Sequence, residues 1–84
     1  MERNTLSIVI NTPKGKWETT FSKTSKISEV ISATVSHFKF ANNGSYELRM
    51  DKNPTQALKA ERTLVSYKIE DGDVLVFIDF GQAV

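Results

Sequence analysis

The sequence predicts an α+β protein, one mixed sheet of four to five strands covered on one face by a single α-helix. Three observations predict it. Apolar and polar residues alternate over several short segments, the period of half-buried strands. One segment, Ile27 to Phe38, switches to spacings of three and four, the stripe of an amphipathic helix. The closing run from Val74 to Phe80 is apolar at six of its seven positions, which suits a strand in the middle of a sheet.

A chain of 84 residues is read as one domain, 1–84, with a core over about 5–80 and a short C-terminal tail, 81–84. A domain this small hides little more than about 60% of the surface its unfolded chain exposes, so almost every large apolar residue is needed inside. Charged residues supply 25%, hydrophobic ones 39%, and the net charge is +1. That balance gives no electrostatic reason to expect nucleic acid or a membrane surface as a partner. The absence of cysteine excludes disulfides, thiolate metal sites and a cysteine nucleophile. The apolar run near the start is too short for a signal peptide or a membrane span, so a cytoplasmic location is expected.

The elements follow in order. Leu6, Ile8 and Ile10 alternate with Ser7 and Val9 as a first strand. Pro13 and Gly15 punctuate a tight turn, and Trp17, Thr19 and Phe21 then alternate with Glu18, Thr20 and Ser22 as its antiparallel partner. The helix opens at Ser25 or Lys26 and carries Glu29 in its first turn, where the dipole favours an anion. Its β-branched residues have mediocre helix propensity, so packing must hold it. Asn43-Gly44 is expected to stop it through positive φ. Tyr46, Leu48 and Met50 alternate with Glu47 and Arg49 as a third strand, and Asp51 to Gln56 reads as a loop around Pro54. The stretch from Ala57 to Ile69 has no sustained period, and Leu58, Leu64, Tyr67 and Ile69 anchor it. A turn at Gly72 leads into the last strand, Asp73 to Phe80. With that strand beside and parallel to the first, and the helix across one face, the arrangement is a β-grasp.

The residues from Leu6 to about Phe80 resemble ubiquitin. The most specific stretch is LKAERTLVSYKI, Leu58 to Ile69, where the leucines, arginine, threonine, tyrosine and isoleucine recur at the same mutual spacing. TPKGK, Thr12 to Lys16, is similar to ubiquitin's first hairpin, Ile27 and Val30 to its inward helix positions, and Leu75 and Phe77 to those of its last strand. GDVL in the final turn resembles bacterial ubiquitin-like proteins. The resemblance implies that Tyr67 ties down a neighbouring loop with its hydroxyl, while Leu58, Leu64 and Ile69 plug one end of the core. Gly72 is read as a left-handed turn residue.

Little in the chain suggests catalysis, a cofactor or a metal. His37, the one histidine, sits near the helix end and reads as a surface residue favoured by the dipole. Glu70, Asp71 and Asp73 match no calcium loop and read as a solvated turn. A basic patch of Lys14, Lys16, Arg49, Lys52, Lys59, Arg62 and Lys68 lacks the interleaved aromatics that nucleic-acid stacking needs.

The last strand is more telling. If Leu75 and Phe77 point inward, Val74, Val76 and Ile78 point out of the uncovered face, an apolar row that water penalises. The resemblance places this row, with Arg49, on the surface by which ubiquitin is recognised. There ubiquitin's central isoleucine corresponds to Arg49 and its hairpin leucine to Pro13, which implies a dedicated partner or a weak homodimer rather than ubiquitin's own receptors. The resemblance also draws attention to Gly81. In one reading the protein is a ubiquitin-like modifier, cleaved after Gly81 by a processing peptidase and conjugated through it by E1/E2-like enzymes. The single glycine and the short reach beyond the strand depart from that pattern. In the other it is a non-conjugated ubiquitin-fold interaction module, like the accessory proteins of type VII secretion systems. Sulfur-carrier proteins, which end at a glycine pair, are a poorer match.

Overall fold

The computed structural model describes residues 4–82. Five strands form one sheet in the order β2-β1-β5-β3-β4. β1 (Thr5–Thr12) and β2 (Gly15–Ser22) make an antiparallel hairpin with eight residue pairs in unbroken register, from Thr5 opposite Ser22 to Thr12 opposite Gly15. The Thr12 hydroxyl donates to the Gly15 carbonyl at 2.8 Å and accepts the Lys14 N–H at 3.1 Å, which fixes the two-residue turn. β5 (Val74–Gln82) lies in mid-sheet, parallel to β1 through Val9, Ile10 and Asn11 and antiparallel to β3 (Gly44–Met50).

The helix α1 (Ile27–Phe38) covers one face. Lys26 is its N-cap, and the Glu29 carboxylate reaches back to accept the Lys26 N–H at 3.4 Å, half of a capping box. Ile27, Val30 and Thr34 are buried, and Ile27 and Val30 join Leu6, Ile8, Ile10, Leu48, Met50, Leu75 and Phe77 of the sheet in one apolar core. Thr34 is the one buried polar group of the helix, and its hydroxyl donates to the Val30 carbonyl at 2.8 Å. At about 25 cal/mol per Å² of apolar surface, each of these large side chains contributes on the order of 1.5–3 kcal/mol.

The helix stops earlier than Asn43-Gly44, and by another residue. Lys39 takes the left-handed conformation at φ 59°, and the Phe40 N–H folds back onto the Val35 carbonyl at 2.9 Å. The Lys14 ammonium donates to the Phe38 carbonyl at 3.1 Å, satisfying a carbonyl at the helix end. Gly44 is not in a positive-φ conformation. Glycine is required there because a Cβ would collide with the Tyr46 hydroxyl and ring.

Two further elements differ from the sequence reading. The segment expected to be a loop around Pro54 contains a short edge strand, β4 (Asn53–Ala57), antiparallel to β3. Proline is tolerated in an edge strand because one side of the strand has no ladder partner. The last strand also runs past Phe80, taking Gly81 and Gln82 into the sheet, so the expected tail 81–84 begins inside β5; residues 83–84 lie outside the described residues. Between β4 and the turn into β5, residues 58–69 close the end of the core, with a 3₁₀ turn at Val65–Tyr67.

Candidate partner-binding face

The face of the sheet away from α1 is built by strand alternation. Leu75 and Phe77 are buried beneath the helix, so Val74, Val76 and Ile78 point the other way, each half-buried among its neighbours. The register brings Arg49 beside Val76 on one flank and Asn11 on the other. With Lys16 opposite Asn11 and Ala57 opposite Arg49, one rung crosses all five strands: Lys16, Asn11, Val76, Arg49, Ala57. Val9 pairs with Val74 and Glu47 with Ile78, so the apolar row widens to Val9 at one end.

Arg49 is held flat on this face. Its Nε and Nη2 donate to Glu47 Oε2 at 3.2 and 2.9 Å, and its Nη1 donates to the Pro54 carbonyl at 3.0 Å. A partly exposed pair of this kind adds only about 0.2–1 kcal/mol to stability. Its effect is to fix the guanidinium in place and neutralise a cation near the centre of the face.

Gly81, the processing site of the modifier reading, is built into the ladder. Tyr46 opposes Asp79 and Gly44 opposes Gln82, so β5 carries one more residue than β3 across this interval, a β-bulge. Gly81 sits in it at φ 84°, a left-handed backbone, and its N–H donates to Asp79 Oδ1 at 2.7 Å. Phe80, next to it, is 55% exposed. The alternation from Phe77 carries it to the same side as Val76 and Ile78, a member of the row that the sequence reading left out. The register shift could not be seen in the sequence.

Leu58, Leu64 and Ile69 are buried in the core. The Tyr67 hydroxyl accepts the Lys59 N–H at 2.7 Å, and the Arg62 guanidinium lies 4.4 Å above its ring. Gly72 turns at φ 85° and donates its N–H to the Ser7 carbonyl at 2.7 Å. A second tyrosine does similar work: the Tyr46 hydroxyl donates to the Ala41 carbonyl and secures the loop after the helix. Burial, and secondarily the Asp79 carboxylate, push the Tyr46 phenol above the ordinary tyrosine value of 10.0.

An aromatic series that sequence spacing did not reveal joins the hairpin to the last strand. His37 stacks on Trp17 with ring centres 4.0 Å apart, Phe38 meets Trp17 edge-on, and Phe40 and Tyr46 both stack on Phe77. The acidic turn is used internally, with Asp71 accepting the Ser7 N–H at 2.8 Å and Asp73 the Glu70 N–H at 2.8 Å. Among the described residues no three histidine or acidic side chains converge as a metal site, and no helix is long and apolar enough to cross a membrane. Four of the basic residues have separate partners: Lys14 serves the helix end, Arg49 the open face, Arg62 the Tyr67 ring, and Lys52 approaches Asp73 at 3.8 Å.

One mixed sheet, one covering helix and a parallel β1–β5 pair at its centre define a β-grasp domain, and the fold is ubiquitin-like. A protein designed on the basis of ubiquitin matches with a TM-score of 0.80 at 17% identity, over 98% of this chain and 96% of that one. The ubiquitin of Caldiarchaeum subterraneum matches at 0.76 and 23% identity, over 95% and 96%. A structure described as a molecular mimic of SUMO that promotes DNA repair matches at 0.78 and 11% identity, over 93% and 95%. No protein-family model and no curated protein sequence matches the chain.

Proposed function

We propose that the protein is a non-conjugated ubiquitin-fold interaction module that binds a protein partner through the outer face of β5. The observation that carries this reading is the apolar row Val74, Val76, Ile78 and Phe80, set across the centre of an open sheet with the Arg49 cation beside it already neutralised by Glu47. Such a face loses little by desolvation and gains the transfer free energy of its apolar side chains. The placement of Gly81 inside a bulged ladder supports the same reading, because the bulge gives the glycine a structural role that needs no conjugation.

The modifier reading is favoured by one specific feature, Gly81 beside the exposed Phe80. It requires the end of β5 to peel away from Gly44 before a processing peptidase or E1/E2-like enzymes can reach the glycine. Purification of the tagged protein from its native cells, with Val76→Asp and Ile78→Asp alongside, separates the two. The interaction module gives an unprocessed chain and one stoichiometric partner that both substitutions remove while circular dichroism remains native. Attachment of the chain through Gly81 to larger proteins, or partner retention by both variants, overturns it.

A further inference from the structure

The turn between α1 and β3 contains a reactive pair that the packing itself imposes. Asn43 is exposed in the turn and is followed by Gly44, which starts β3. Gly44 has to be glycine because the Tyr46 ring occupies the space of a Cβ. The same missing side chain leaves the Gly44 amide nitrogen open to a neighbouring electrophile. That nitrogen is only lightly engaged, since its N–H reaches the Ala41 carbonyl at 3.3 Å. The other asparagines lack this arrangement. Asn4 and Asn11 precede threonines, Asn42 precedes Asn43, and Asn53 precedes Pro54, which has no N–H.

We propose that Asn43 is a site of spontaneous self-modification whose product unfastens the end of the β3–β5 ladder. The Gly44 nitrogen attacks Asn43 Cγ. A new N–Cγ bond forms, the Cγ–Nδ2 bond breaks, and the Gly44 amide proton leaves with the side-chain nitrogen as ammonia. Water then opens the cyclic imide. Addition at the former side-chain carbonyl gives aspartate; addition at the main-chain carbonyl gives isoaspartate, in which the chain runs through the β-carbon. The inserted methylene lies between the Ala41 carbonyl, held by Tyr46, and Gly44, paired with Gln82. Both restraints cannot be kept with the longer backbone, so the pairing beside the Gly81 bulge is released.

The test ages the full chain at mildly alkaline pH and body temperature, with Asn43→Gln in parallel. The expected result is a species whose formal net charge has fallen from +1 to zero, with the acid confined to the tryptic segment Phe40–Arg49 and isoaspartate as its main form. The Asn43→Gln variant does not produce it. In the isolated product, amide exchange rises at residues 44–46 and 79–82 and stays native in β1 and β2. Conversion spread equally over the other asparagines, or an unchanged acid yield in Asn43→Gln, overturns the assignment of the site. Confined conversion with native exchange at both segments overturns the proposed release.

Discussion

Gly81→Ala separates a glycine built into the sheet from one on a free end. In the fold Gly81 adopts φ 84°, and a Cβ placed there finds nothing within 4 Å. The substitution therefore introduces no collision, and its cost is that of holding an L-residue in the left-handed region, about 1–2 kcal/mol. The strand end can escape that cost by peeling from Gly44, so the measured loss is the smaller of the strain and the free energy of the last pairing. Strain retained in full lowers the folded-to-unfolded ratio by a factor of about 5–30. In a domain of this size each kcal/mol lowers Tm by about 4–8 °C. Peeling instead shows as faster amide exchange at residues 81 and 82 with little change in Tm. Gly81→Asn, whose side chain tolerates this conformation, recovers part of the loss. Urea denaturation and amide exchange together read both routes. Native stability together with native exchange in Gly81→Ala would refute the bulge and return Gly81 to the modifier reading.

Three other perturbations test the frame around the face. Tyr67→Phe leaves the Lys59 N–H to water near the surface and lowers stability by about 1 kcal/mol, read as a shifted urea midpoint at unchanged slope. Leu64→Ala, at a fully buried position under the irregular segment, costs about 2–5 kcal/mol in the same assay. Tyr46 makes the fold sensitive to alkali: its folded-state value lies above 10.0, so above that pH the unfolded chain releases the phenol proton while the folded chain retains it. Stability is complete below pH 10.0 and falls as pH rises from there towards the folded-state value. Tyr46→Phe removes that part of the slope, and a wild-type slope in the variant would assign it to another group.

The sequence reading succeeded where burial has a period. Leu6, Ile8 and Ile10, the stripe from Ile27 to Phe38, and Leu75 with Phe77 are each repeated inward positions, and the outer row followed from the same alternation by parity. It failed where the chain buries nothing or where the decisive neighbour is remote. β4 is exposed at four of its five residues, so no apolar pattern marks it, and Pro54 points away from a strand. Gly44 was assigned a turn conformation because the Asn-Gly pair favours one, while its actual constraint is the Tyr46 ring two residues on. The stacking of His37 on Trp17 joins residues from the helix end and the hairpin. The Gly81 bulge is a property of register between two strands and leaves no mark on either alone.

In the proposed interaction module, the Glu47–Arg49 pair decides what the face can bind. Covering a guanidinium with a partner costs several kcal/mol unless its charge and donors remain compensated. Here three of its five N–H donors are satisfied within the sheet, by Glu47 and by the Pro54 carbonyl, and Glu47 supplies the counter-charge, so a partner can lie over Val76 without supplying an anion. Glu47→Ala removes that compensation. In the free protein the pair is partly exposed, so stability falls by only about 0.2–1 kcal/mol. In the complex Arg49 would be covered without its counter-charge, and affinity falls by about 2–5 kcal/mol, on the order of 30-fold or more in Kd. The double variant Glu47→Ala with Arg49→Met removes both charges, and its affinity returns towards wild type. Titration calorimetry with the purified partner reads the three proteins. A Kd unmoved by Glu47→Ala means that the partner does not cover Arg49, and the face centred on Val76 is then not where it binds.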